Sequence, residues 1–75
     1  MTKKEDIRQL IEEVVPLVDV DSEFLFAELD SLGVTAILMT LARKYDISLE
    51  AEDATPRNLK NLDSIVAMVE RKQQR

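Results

Sequence analysis

Neither cysteine nor histidine occurs among the 75 residues. That removes disulfides, thiolate nucleophiles, zinc sites of the usual kind and imidazole acid–base catalysis together, so most enzymatic chemistries lose their candidates. One glycine, two prolines and three aromatic residues leave little material for the turns and aromatic pairs of a β-sheet. No apolar run is long enough to span a bilayer. The opening Met1-Thr2-Lys3-Lys4-Glu5-Asp6 is charged and runs into a half-polar segment, where a secretory leader would run into an apolar stretch. The expectation is a cytoplasmic protein.

What is present is helical material. Leu, Ala, Val, Ile, Glu, Asp and Lys dominate, and the length suits one core, so residues 1–75 read as a single domain that relies on close packing between helices. Fifteen acids against ten bases give a net charge of −5, which opposes nucleic acid and anionic membrane as partners and favours basic ones. Asp19, Asp21, Glu23, Glu28 and Asp30 form a stretch with no Lys or Arg between them. Self-repulsion there predicts the least settled part of the domain.

The apolar spacing lays out the elements. Thr2-Lys3-Lys4-Glu5 has the form of a capping box, and Ile7, Leu10, Ile11 and Val14, with Leu17 or Val18, make the stripe of a first helix. Pro16 ends it, placing the last regular turn near residues 15–17. Residues 18–30 keep no helical period but contain Phe24, Leu25, Phe26 and Leu29, so this long loop should pack down with its two Phe as core plugs. A second helix spans Ser31 to Tyr45, with Val34, Ile37, Leu38, Leu41 and Tyr45 on its stripe. Asp46 to Ala54 is a connection anchored by Ile47 and Leu49. Thr55-Pro56 opens a short helix through Leu59, and Asn61 caps a last helix striped by Leu62, Ile65, Val66 and Val69. The fold class is all-α, a bundle of three main helices plus one short one.

Leu29-Asp30-Ser31-Leu32 lies where the acidic loop meets the apolar second helix. This placement, with the chain length and helix order, resembles the acyl carrier protein family, in which an Asp-Ser-Leu tripeptide opens the second helix. The resemblance covers essentially the whole chain, including Tyr45-Asp46-Ile47 and Asn61-Leu62-Asp63-Ser64-Ile65. It implies that Ser31 receives 4′-phosphopantetheine from coenzyme A, that Asp30 assists the modifying enzyme and its magnesium, and that cargo rides on the arm's thiol as a thioester. The implied partners are a phosphopantetheinyl transferase, an acyl- or aminoacyl-loading ligase and downstream biosynthetic enzymes, and the chain itself is a monomer, not an enzyme, and holds no metal.

Leu62-Asp63-Ser64-Ile65 nearly repeats the motif, but no acidic loop precedes it and only one helix can follow it, so Ser31 is the expected site. The family's fatty-acid carriers place acids just after the tripeptide and along the second helix. Here Gly33, Val34, Thr35 and Ala36 follow, and the only charges before Asp46 are Arg43 and Lys44. That departure points to a specialised pathway, of the polyketide or nonribosomal peptide kind, and to partner contacts at Glu28, Leu32, Val34, Thr35 and Met39. The rival readings are an unmodified adaptor that uses the apolar second helix to bind a partner and an enzyme built on the loop acids Asp19 and Asp21 or Glu50, Glu52 and Asp53. The latter lack any nucleophile or histidine beside them.

Overall fold

Thr2 begins the first helix as its sequence predicts. Its hydroxyl accepts the Glu5 N–H at 3.1 Å while the Glu5 carboxylate accepts the Thr2 N–H at 3.0 Å, so two of the helix's orphan donors are satisfied reciprocally. The structure, a computed structural model, describes residues 2–74. Within them α1 runs Lys3–Val14, α2 Ser31–Tyr45 and α3 Leu62–Gln73, with 3₁₀ turns at Leu25–Glu28 and Ala51–Asp53 and no strand. The first helix stops at Val14, slightly earlier than Pro16 alone implies. Val15 still donates its N–H to the Ile11 carbonyl at 2.8 Å, but the proline behind it holds Val15 at a non-helical φ of −130°.

All three helices face one core, built on Ile7 and Ile11 from α1, Ile37, Leu38 and Leu41 from α2, and Leu62, Ile65, Met68 and Val69 from α3. On α3 Met68 is buried where Val66 was expected to be, and Val66 is half-buried. Val18 packs against the core, whereas Leu17 is 99% exposed. Burying a large aliphatic side chain contributes about 1.5–3 kcal/mol, and this set is what holds a chain without disulfides together.

The long loop between α1 and α2 packs down, but its phenylalanines are not the plugs. Val20 and Leu25 are buried, Phe24 is 68% exposed and Phe26 only half-buried. The cause is a long-range bond: the Leu25 N–H donates to the Lys60 carbonyl at 2.7 Å. It turns Leu25 inward, leaving Phe24 outside and Phe26 packed at the edge of the core.

Four of the five acids of this loop have partners within the fold. Asp21 is held by Arg8 of α1 at 2.7 Å. Asp19 accepts the Asp21 N–H, Glu28 accepts the Asp19 N–H and Asp30 accepts the Gly33 N–H. Three of the five carboxylates therefore bond to backbone donors of the chain around them, and one is paired.

At its far end α2 closes on Asp46, which sits in the left-handed region at φ 53° and ψ 50°. The N–H groups of Asp46 and Ile47 both reach the Ala42 carbonyl, an arrangement that caps the helix and turns Ile47 back onto the core. The expected short helix after Thr55 is a single turn: the Thr55 hydroxyl accepts the Asn58 N–H, and Leu59, buried, donates its N–H to the Thr55 carbonyl. The segment before it, expected to be irregular, contains the second 3₁₀ turn. There Asp53 is 8% exposed, accepting the Glu50 N–H at 2.9 Å and meeting Lys72 of α3 at 3.0 Å. No helix among the described residues is long and apolar enough to cross a membrane.

Candidate functional site

Asp30, not Ser31, is the N-cap of α2. Its extended backbone and its side chain, which accepts the Gly33 N–H at 2.7 Å, start the helix. Ser31 is thereby the first helical residue, exposed, with a hydroxyl that makes no hydrogen bond among the described residues. The backbone N–H groups of Ser31 and Leu32 also have no partner there. An anionic phosphodiester on this hydroxyl suits the site, since the free donors and the positive end of the helix dipole favour negative charge.

Ser64 has the same local sequence and the opposite surroundings. Its hydroxyl donates to the Asn61 side-chain oxygen at 3.0 Å, its N–H donates to the same oxygen at 2.9 Å, and it is half-buried. Its neighbour Asp63 pairs with Lys4 at 2.9 Å. One Asp-Ser step offers an unengaged hydroxyl, and the other is consumed in its helix cap.

Around Ser31 the expected partner residues divide. Leu32 and Met39 are 81% and 56% exposed, and Thr35 and Glu28 are exposed with them. Val34 is different: it is half-buried and packs against the core, because it lies a turn before Ile37 and Leu38 on the inward face. Two cavities flank the serine. One, of about 320 Å³, lies among Phe26, Leu29, Val34, Thr35 and Ala54 and includes Ser31 itself. The other, of about 280 Å³, lies on the α1 side, between the end of that helix, Leu29 and Gly33.

Sequence reasoning missed both cavities, since each is assembled from segments distant in the chain. The available signal was two apolar residues, Val15 and Leu29, that no helical stripe uses.

Two of the acids that the enzyme reading uses are engaged within the fold. Asp21 is held below the usual carboxylate range chiefly by the hydrogen bond from Arg8, and Asp53 is lowered first by the Glu50 N–H and then by Lys72. Among the described residues no three His, Cys, Asp or Glu side chains converge as a metal site.

A small helical bundle that presents an exposed, unengaged hydroxyl at a helix start is an arrangement suited to carrying a tethered group. The sequence agrees: residues 5–70 match the family described as the phosphopantetheine attachment site, and the chain belongs to that family. Its prosthetic group is 4′-phosphopantetheine, and domains of this family are in general carriers and not catalysts. No curated protein and no solved structure matches the chain significantly.

Proposed function

We propose that residues 1–75 are one carrier domain that holds acyl or aminoacyl intermediates as thioesters on a phosphopantetheine arm attached to Ser31, for a specialised biosynthetic pathway. The observation that carries this reading is the contrast between the two serines: Ser31 is exposed and unengaged, while Ser64 is tied to Asn61. A transferase moves the phosphopantetheine of coenzyme A onto the Ser31 oxygen, the hydroxyl proton is lost and 3′,5′-ADP leaves. Asp30 fixes the first turn on which that oxygen stands and assists the modifying enzyme. The chain contributes no catalysis of its own, acts as a cytoplasmic monomer, and is served by the transferase, a loading ligase and downstream enzymes.

Partner contact falls on Glu28 and on the exposed arc of Leu32, Thr35 and Met39, with Val34 at its edge. That arc carries no acid, which supports a pathway other than bulk fatty-acid synthesis: a partner docks there by apolar contact instead of by a basic patch. The test is intact mass after incubation with coenzyme A and a broad-specificity phosphopantetheinyl transferase. One phosphopantetheine is expected on the unaltered protein and on Ser64→Ala, and none on Ser31→Ala. Absence of modification on all three favours the adaptor reading, whose support is the same exposed Leu32 and Met39.

A further inference from the structure

The cavity on the α1 side of Ser31 has a chemistry that the reading above does not use. Its walls are apolar, from Val15, Pro16, Val18 and Leu29, and carboxylates stand beside them at Glu28 and Asp30. It reaches Gly33, the chain's one glycine, where a Cβ would lie 3.3 Å from the Val15 side chain and 3.2 Å from the Asp30 carboxylate. Only the bare backbone leaves this space as it is.

We propose that this groove shelters the carried group, and that the group is an aminoacyl residue with a small or medium apolar side chain. The inference rests on the attachment of the arm at Ser31. Size permits this: an apolar cavity of about 150 Å³ accepts a benzene ring, and about 280 Å³ accepts a branched side chain with its α-carbon and amine. Charge is the first argument. Glu28 and Asp30 each spend an oxygen on a backbone N–H, and neither is met by a Lys or Arg among the described residues. An α-ammonium, the cation an aminoacyl thioester carries and a fatty acyl thioester lacks, supplies the missing charge. Access is the second: Asp30 and Gly33 lie on either side of Ser31 and Leu32, so a tethered group enters by folding back over the first turn of α2. Tethering raises its local concentration, so a weak site suffices. A partner presenting a base to Glu28 would compete for the same carboxylate and so expel the cargo when it docks.

The test compares two arms of one skeleton. The protein is loaded enzymatically with non-hydrolysable amide analogues carrying either a leucyl or a 4-methylpentanoyl group, which differ in the α-amine. Full loading is verified by mass, and amide chemical shifts are read against the protein bearing the arm alone. The leucyl group should move the amides of Val15, Leu17, Val18 and Gly33. The 4-methylpentanoyl group, or the leucyl group on Glu28→Gln, should move them roughly two- to fivefold less, the scale of one exposed ion pair, and concentrated salt should shrink the difference. Equal shifts for both groups, shifts confined to Phe26, Val34, Thr35 and Ala54, or none in a fully loaded protein overturn the proposal and leave the attachment intact. Failure to load Ser31 at all takes down both.

Discussion

Arg8 on α1 grips Asp21 in the following loop with two parallel hydrogen bonds, Nε to Oδ1 at 3.1 Å and Nη2 to Oδ2 at 2.7 Å. The forked geometry is the form in which an exposed ion pair fixes position as well as charge. Through it the middle of the long loop, which leads to Ser31, is tied to the first helix.

Replacing Arg8 by Met should therefore loosen the loop more than the bundle. Hydrogen exchange is expected to speed up at Ser22 and Leu25, whose N–H groups bond to Asp19 and Lys60, with little change along α3. Asp21 titrates below its ordinary value in the folded state, so the pair's contribution is present above about pH 4 and disappears as pH falls through that lowered value. Exchange at these amides that is indifferent to the substitution, or to acid, would mean that the loop is held by Leu25 alone.

Leu25 and Phe24 give opposite forecasts for adjacent residues. Leu25 is fully buried, and Leu25→Ala should cost about 2–5 kcal/mol, enough to unfold much of so small a domain at room temperature. Phe24→Ser, at an exposed side chain, should stay within about 0.5 kcal/mol of the unaltered protein. Denaturant melts of the two variants decide between this arrangement and one with aromatic plugs.

Asp53 is the buried carboxylate of the fold. Asp53→Asn keeps its shape and loses the charge that Lys72 meets, and Asp53→Ala should cost about 2 kcal/mol through the bonds from Glu50 and Lys72. Because the folded-state value is lowered, the stabilisation is complete above the unfolded value near pH 4 and is lost as pH drops through the lowered one. Thermal melts between pH 6 and 2 should converge for the native residue and Asp53→Asn at the acid end. Parallel curves would count against the pair.

Asp46→Gly should stabilise the domain by about 0.5–1 kcal/mol, since a left-handed cap suits glycine better than any residue with a Cβ. A lower melting temperature would show that the Asp46 side chain earns its place through a contact of its own.

Sequence made the helix starts legible because caps are local. Thr2 with Glu5, Asp30 with Gly33 and Asn61 with Ser64 each lie within one turn, and all three first helical residues follow from them. The choice of Ser31 over Ser64 also came from context that the sequence carries, an acidic loop before one and not the other. What stayed hidden depends on distant partners. Leu25 turns inward because Lys60 accepts its N–H, Asp53 is buried because Lys72 reaches it from another helix, and neither spacing nor composition relates those positions. The α1-side groove was illegible for the same reason, being shared between Val15 and Gly33 across the whole loop.

Ser31 and Ser64 differ in what their hydroxyls do, and that difference exists only in the folded chain. An extended chain presents Leu-Asp-Ser-Leu and Leu-Asp-Ser-Ile as near-equal peptides, and the bond from Ser64 to Asn61 is made only when α3 is capped. On the proposed attachment at Ser31, selective labelling is therefore also a check on the product: a chain that failed to form its last helix would expose a decoy and lose the distinction between the two positions. The proposed attachment step would in this way read conformation as well as sequence, and the ratio of label at the two serines would gauge how much of a preparation has folded.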